Sequence, residues 1–172
     1  MPDTKPGPDQ FAPHQRRYID AVEGPILDTL RAQRGEVERV LLAIPESGAG
    51  YRYAEKKWTI REAIGHLSDA ERVYGYRALA ISRGDTTLPK YDPDAYVEAS
   101  GYDERSVASL VAEFLAVRES TLQLFANLPL EAWSRRATLG TNPLSVRALA
   151  WIAAGHVRQH LDVLHDRYGV AR

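Results

Sequence analysis

The residues of this chain that could do chemistry are its histidines, because the 172 residues include five histidines and no cysteine. The lack of cysteine excludes disulfide-stapled scaffolds, cysteine-ligated zinc or iron–sulfur sites and a cysteine nucleophile. Two of the histidines, His156 and His160, stand four positions apart. On a helix this spacing places both imidazoles on one face, one turn apart, where they can bind the same metal ion.

Helical geometry divides the five histidines into two groups. At about 100° per residue, His156 and His160 share the apolar face of the last predicted helix, and His66 lies at the flank of the apolar face of the second. His165 falls on the opposite, solvent-facing side of the last helix, and His14 lies in the N-terminal tail. The sequence therefore predicts three imidazoles that can point into the core.

Two explanations are open for such buried histidines. A pair of inward imidazoles is compatible with a metal site and equally with neutral core residues that hydrogen bond to their neighbours. A third inward imidazole favours a metal, because three close imidazoles without carboxylate partners would repel one another as cations and would lose hydration. A divalent ion keeps all three neutral and uses their lone pairs, so metal binding is the more economical explanation.

Four amphipathic helices are predicted to position these side chains. Their apolar residues recur every three or four positions, and proline, glycine and hydroxyl residues mark their ends. Thr59 and Glu62 form a capping box at the start of the second helix, Asp103 or Ser106 caps the third, and Ser145 caps the fourth. The four helices are expected at about residues 25–44, 59–83, 106–128 and 146–168.

These elements indicate an all-α protein, a four-helix bundle with a long loop between the second and third helices. No segment alternates with the period of two that is typical of strands. Residues 84–102 form a connection that is longer than two adjacent helices need, and such loops often cover a site. Residues 130–142 are expected to be an irregular link, and Gly35 is a candidate break point in the first helix.

The chain is expected to form one domain over residues 14–172, preceded by a disordered or extended arm at residues 1–13 that contains four prolines. With 22 basic and 23 acidic residues, no overall positive field exists to attract nucleic acid or an anionic membrane. The longest apolar stretch, residues 148–154, is far shorter than the roughly 18 residues of a membrane span. The N-terminus lacks the apolar segment of a signal peptide, so a cytoplasmic protein that acts on small molecules is expected.

Three segments of the sequence resemble the DinB family: KWTIRE at 57–62, GHLSDAER at 65–72 and GHVRQH at 155–160. The resemblance covers about residues 18–168. In the DinB and YfiT-like superfamily, a four-helix bundle holds a divalent metal with one histidine from the second helix and two from the last. The matching positions here are His66, His156 and His160, and family members commonly pair as homodimers.

The resemblance implies a metal-dependent thiol S-transferase that joins a low-molecular-weight thiol to small electrophiles. Because the chain has no cysteine, the thiol must be a diffusible cosubstrate. Zinc or nickel is the expected ion, and iron also suits imidazole ligands. Two alternatives stay open: a metal-dependent hydrolase, and a non-enzymatic stress-response bundle in which the ion only secures helix packing.

Three charged residues are candidates for the surroundings of the metal. Glu62 and Asp69 lie four positions before and three after His66 and can accept its second N–H, although Glu62 also belongs to the capping box and Asp69 can simply face solvent. Arg77 shares the face of His66 and can clamp an anionic group of the substrate, with an interhelical salt bridge as the alternative. Two tyrosines of the long loop line the pocket or merely cover the core, and no role is assigned to them: Tyr91 and Tyr96.

Overall fold

Four long helices form a bundle in the computed structural model, which describes residues 2–171. The fold is all-α apart from one small hairpin, as the sequence predicts. The helices are α1 Arg16–Asp20, α2 Ile26–Leu42, α3 Ile60–Ser82, α4 Pro93–Glu98, α5 Val107–Ala126 and α6 Val146–Tyr168. The strands are β1 Arg136–Leu139 and β2 Asn142–Ser145.

The predicted capping residues begin the long helices. The hydroxyl of Thr59 accepts the N–H of Glu62 at 3.0 Å, and the Glu62 carboxylate accepts the Thr59 N–H at 2.7 Å. The hydroxyl of Ser145 accepts the first-turn N–H of α6 at 2.9 Å. At α5 the capping residue is Ser106 and not Asp103. These local bonds satisfy amide groups that a helix N-terminus otherwise leaves unpaired.

The buried apolar residues form two clusters along the bundle. On α6, the apolar residues from Val146 to Ala154 belong to one cluster, whereas those from Val157 onward belong to the other. On α3, Leu67 belongs to the second cluster and Ala70 to the first. The boundary between the clusters therefore crosses α3 and α6 at the positions of their histidines, which places polar groups in the middle of the bundle.

A buried ionic network holds the helices in register beside this boundary. The guanidinium of Arg118 on α5 donates to both carboxylate oxygens of Glu71 on α3, at 2.7 and 3.1 Å, and to Gln33 on α2 at 3.0 Å. Gln33 in turn donates to the carbonyl of Ala154 on α6 at 2.8 Å. Because every charge in the network is paired, its burial is compatible with a stable core.

The hairpin of β1 and β2 corrects the prediction of an irregular, strand-free link. The two strands pair antiparallel, with Ala137 opposite Leu144 and both side chains buried in the core. Gly140 turns the chain between them with a φ of +64°. The strands have four residues each and are rich in arginine, asparagine, proline and serine, so no alternating apolar pattern announces them.

The N-terminal segment packs against the bundle, whereas the sequence suggests a disordered or extended arm. Phe11 is buried in the first apolar cluster. The carboxylate of Asp3 accepts the N–H of Ile26 at 3.0 Å, which supplies a cap to α2 from outside the helix. The proline-rich segment is thus ordered and contains two 3₁₀ turns, Pro8–Gln10 and Pro13–Gln15, and contacts distant in sequence hold it against the bundle.

The structure differs from the sequence predictions in two further respects: it contains two additional short helices, and the first long helix is continuous. The short helices α1 and α4 are not predicted, and α4 lies within the long 84–102 connection. Helix α2 passes through Gly35 without a break. No helix within residues 2–171 is long and apolar enough to span a membrane.

Candidate metal centre

Three histidines meet between α3 and α6. The Nε2 atoms of His66 and His156 lie 3.0 Å apart. One ring nitrogen from each of these residues and from His160 falls within 4.8 Å of the others. His66 and His156 are buried, whereas His160 is partly exposed. The structure therefore brings together the three imidazoles that the sequence indicates, with one edge of the trio facing outward.

A glycine precedes the histidine on each helix and makes room for the element that covers it. A Cβ on Gly155 would overlap the carbonyl of Tyr18, whose carbon lies only 2.5 Å from that position. A Cβ on Gly65 would lie 2.5 Å from ring atoms of Tyr102. The two Gly-His pairs thus let α1 and the segment before α5 close against the bundle, which buries the neighbouring imidazoles.

Burial keeps the three imidazoles neutral. Loss of hydration, with a smaller contribution from the charge of His160, lowers the pKa of His66 to about 3. Burial and the nearby Arg17 lower the pKa of His160 to about 4, and burial together with the other two histidines holds the pKa of His156 well below its usual value. At neutral pH each ring therefore has a lone pair available for a ligand.

Aromatic rings pack against the members of the trio and contribute to their burial. The ring of Trp58 packs on His66, with 4.6 Å between centroids. Tyr18 from α1 and Tyr74 from α3 meet His156 edge-on, each at 5.6 Å. An electrostatic interaction in such surroundings is stronger than in water, because the local dielectric constant is low.

This donor set fits a divalent metal ion. Zinc binds imidazole nitrogen at about 2.0–2.1 Å, so tetrahedral ligand nitrogens lie roughly 3.3 Å apart, close to the 3.0 Å between the Nε2 atoms of His66 and His156. Three neutral imidazoles can take the ion without any buried uncompensated charge on the protein itself. The cluster is thus suited in composition and spacing to hold such an ion.

Sequence comparison assigns the bundle to a family. A model of the DinB superfamily matches residues 29–164, which contain all three histidines. The chain belongs to the DinB superfamily. No curated protein matches the sequence.

Among solved structures, this DinB-superfamily protein is similar to YfiT from Bacillus subtilis, described as a probable metal-dependent hydrolase with an unusual four-helix bundle topology. The TM-score is 0.76, with 15% sequence identity over 98% of this chain and 95% of that chain. At this level of identity the match shows a shared fold.

The outer partner of His66 in this DinB-superfamily bundle is Tyr91. Its hydroxyl oxygen lies 3.1 Å from His66 Nδ1. With an ion on Nε2 of His66, Nδ1 would carry the proton and the tyrosine oxygen would accept it. Burial raises the pKa of Tyr91, so the phenol stays protonated. Sequence reasoning left Tyr91 unassigned, and the only signal for it was the unusual length of its loop.

The two carboxylates predicted to support His66 lie elsewhere. Glu62 is held at the start of α3 by the Thr59 amide and by Arg52, at 2.9 Å. Asp69 accepts the hydroxyl of Tyr102. Both residues share a helix face with His66, but their carboxylates accept hydrogen bonds from groups outside α3.

Two cavities adjoin the site, one at His160 and one beside the tyrosines that contact the trio. One, of about 310 Å³, reaches the exposed edge of His160 and is lined by Trp58, Lys57 and Asp94 among others. The other, of about 380 Å³, lies behind Tyr91 and contains Arg77. Since Tyr91 and Asp94 both belong to the long 84–102 connection, that segment lines the site as the sequence suggests.

The other two histidines lie apart from the trio. His165 is exposed near the end of α6, and its Nδ1 lies 2.9 Å from the carbonyl oxygen of Val170. His14 is exposed at the N-terminal side of the bundle. The separation of inward from outward histidines by helical geometry is confirmed for α6, because the helix is regular from its cap to Gly169.

Replacing Tyr91 with phenylalanine is expected to weaken zinc binding by about 10–100-fold, because His66 loses the acceptor that orients its ring. The melting temperature of the metal-free protein should change little, since the ring remains. A competition titration against a chromophoric chelator measures the affinity.

Tyr96→Phe is the matched control for this change. Tyr96 lies in the same loop and packs edge-on against Tyr91 at 4.9 Å, but it is exposed and does not contact a histidine of the trio. Equal zinc affinity in the wild type and Tyr91→Phe would contradict the role of the hydroxyl.

Proposed function

We propose that this protein is a metal-dependent enzyme that holds a divalent ion on His66, His156 and His160 and uses the ion to activate a small nucleophile. The observation that supports this most directly is the contact among three neutral imidazoles, two of them buried, with no carboxylate bonded to any of them within residues 2–171. Membership of the DinB superfamily supports the same proposal. Zinc or nickel is the ion that we propose, since both suit imidazole ligands.

A divalent ion on three neutral ligands supplies a Lewis acid with an open position, which lowers the pKa of a water or thiol that reaches it. The protein's own residues do the rest. Tyr91 holds the proton on His66 Nδ1, so that Nε2 stays available. Trp58 packs on His66, and Tyr18 and Tyr74 pack on His156, which holds the two rings in place. The cavity beside His160 leaves the outer side accessible to a substrate.

The nucleophile that we propose is a low-molecular-weight thiol. The thiol loses its proton to solvent, and its sulfur forms a bond to a carbon of a small electrophile as the bond from that carbon to its leaving group breaks, which for an aryl halide releases a halide ion. A thiol ionises near pH 8.5, far more readily than water, and therefore needs no carboxylate base. The chain itself has no cysteine to supply the sulfur. A trio without a bonded carboxylate within residues 2–171 is compatible with a thiol and with metal-bound water alike, and the resemblance of the sequence to the DinB family is what favours the thiol.

Hydrolysis is the second candidate, and the observation that favours it is the fold shared with YfiT, described as a probable metal-dependent hydrolase. In that case the activated nucleophile is water. The two candidates differ in one measurable requirement, since only thiol transfer depends on an added thiol.

The experiment combines elemental analysis with an activity screen on the same preparation. We expect near-stoichiometric zinc or nickel, and product formation from an aryl halide electrophile only when a thiol such as glutathione, mycothiol or bacillithiol is added. Chelation should abolish the rate, and the returned metal should restore it.

Three other results of this experiment would contradict the proposal in whole or in part. Hydrolysis of ester or amide substrates without a thiol would establish the second candidate in place of the first. A preparation that binds metal and loses thermal stability on chelation, but never exceeds the uncatalysed rate, would contradict both and favour a structural ion. Protein without metal after expression in metal-replete medium would overturn the metal centre itself.

A further inference from the structure

Arg77 is a buried cation without an anionic partner. Its side chain projects from α3, and the residue is only 5% exposed. Nη2 donates to the carbonyl oxygen of Pro89 at 2.8 Å, and Nε has no hydrogen-bond partner within residues 2–171. No carboxylate of these residues forms an ion pair with Arg77, and burial lowers the pKa of its guanidinium. The interhelical salt bridge that the sequence allows for Arg77 is therefore not formed.

The same molecule shows how a buried arginine is normally accommodated. Arg118 is fully buried, and its guanidinium is bonded to both oxygens of Glu71 and to Gln33. A buried charge is costly unless it is paired, and most buried arginines are paired in this way. Arg77 is nearly as buried as Arg118 but lacks a carboxylate such as Glu71, which leaves its guanidinium open to an anion from outside the chain.

Arg77 lines a cavity that has room for such a partner. The cavity has a volume of about 380 Å³ and is bounded by α1, α3, the long 84–102 connection and the hairpin. Lys90 adds a second positive charge at an exposed position, and no lining residue is acidic. The cavity is therefore positive, concave and of the size that a small molecule fills.

The cavity adjoins the histidine trio through shared walls. Tyr91 lines the cavity and also hydrogen bonds to His66. Tyr74 lines it and packs against His156. Tyr91 and Tyr74 are therefore walls that the cavity shares with the histidine trio.

We propose that this cavity binds the carboxylate of a small molecule, with Arg77 as the anchor and Lys90 as the second cation. A carboxylate matches the planar fork of a guanidinium, and the free Nε is one of the donors that such a fork uses. Inorganic phosphate shares part of this chemistry and serves as the comparison probe. The identification of the carboxylate as part of the substrate rests on the metal-dependent function proposed above, whereas carboxylate binding by itself does not.

The test is a titration of the full chain with benzoate, followed through the arginine Nε–H signals in a proton–nitrogen correlation spectrum. We expect the Arg77 signal to shift, and Arg77→Gln to weaken benzoate binding by about tenfold or more. Arg83→Gln is the control, because Arg83 is exposed at the end of the same helix and lies outside the cavity. Arg77→Lys, which keeps the charge but not the fork, should lose affinity to an intermediate degree.

The melting temperature gives a second readout. Arg77→Gln should melt at or above the temperature of the wild type, because the change removes an unpaired buried charge. If the variant does not fold, the Arg77→Lys affinity and the wild-type Arg77 signal decide the question alone. Equal benzoate affinity in the wild type and Arg77→Lys, an unmoved Arg77 signal, or tighter binding of phosphate than of benzoate would overturn the proposal.

Repeating the titration on chelator-treated protein separates this proposal from the metal-dependent function. Carboxylate binding is expected to persist there, since Arg77 does not depend on the histidines for its position. Persistent binding in a protein that takes up no metal would leave the carboxylate site standing and remove the enzymatic function.

Discussion

Replacing His156 with alanine is expected to lower zinc affinity by more than about 100-fold. Loss of a residue that only hydrogen bonds to a metal ligand typically costs about 10–100-fold, and loss of the ligand itself should cost more. His156 lies close to both other members of the trio, since its Nε2 lies 3.0 Å from that of His66 and its ring centroid lies 4.4 Å from that of His160. Without it two ligands remain, too few for a stable zinc site. Metal-dependent turnover should fall to the background rate.

His165→Ala is the matched control for this prediction. His165 lies on the same helix but is exposed and does not contact the trio. Zinc content measured by elemental analysis after dialysis, with helix content checked by circular dichroism, distinguishes loss of the ligand from loss of the fold. A folded His156→Ala protein that keeps one zinc ion per chain would contradict the assignment of the ligands.

Replacing Gly155 with alanine is expected to lower the free energy of unfolding by about 3 kcal/mol. The added Cβ would overlap the carbonyl of Tyr18, and backbone cannot move aside as a flexible side chain can. Alanine gains up to about 1 kcal/mol of helix propensity over glycine, which is too little to offset the overlap. Helix α1 must shift from α6, so Tyr18 leaves His156 and zinc affinity should fall as well.

Gly35→Ala is the control, and it is expected to change the free energy of unfolding in the opposite direction. Gly35 is an exposed position of α2, and a Cβ there meets nothing within 4 Å. This change is expected to raise the free energy of unfolding by about 0.5–1 kcal/mol, through the cost of fixing a glycine backbone in a helix. Urea unfolding of both variants measures the difference. Equal stability of the two would show that the contact between α1 and α6 does not constrain position 155.

The sequence predicts most of the bundle because the information for a helix is local. The capping box at Thr59 and Glu62, the Ser145 cap and the apolar spacing all act within one or two turns. The same locality places His156 and His160 on one face of α6. That α3 presents His66 toward them is also anticipated, since both helices must turn their apolar sides to a common core.

The parts that escaped prediction depend on contacts between distant segments. The short strands of the hairpin are stabilised by pairing and by burial of Ala137 and Leu144, not by β propensity. The N-terminal segment is ordered because Asp3 and Phe11 contact the bundle. The residues of the hairpin and of the N-terminal segment, taken alone, do not indicate these contacts.

The surroundings of the histidines likewise depend partly on local sequence and partly on contacts between distant segments. The sequence spacing predicts that Glu62 and Asp69, which share a helix face with His66, hydrogen bond to its ring. In the structure that bond is made by Tyr91, which belongs to a loop 25 positions away. Composition and helical periodicity determined that this protein is a bundle with three inward imidazoles. The tertiary structure alone decided which side chain hydrogen bonds to His66 and that the buried Arg77 has no carboxylate partner within residues 2–171, because hydrogen bonds and ion pairs depend on where loops close over the bundle.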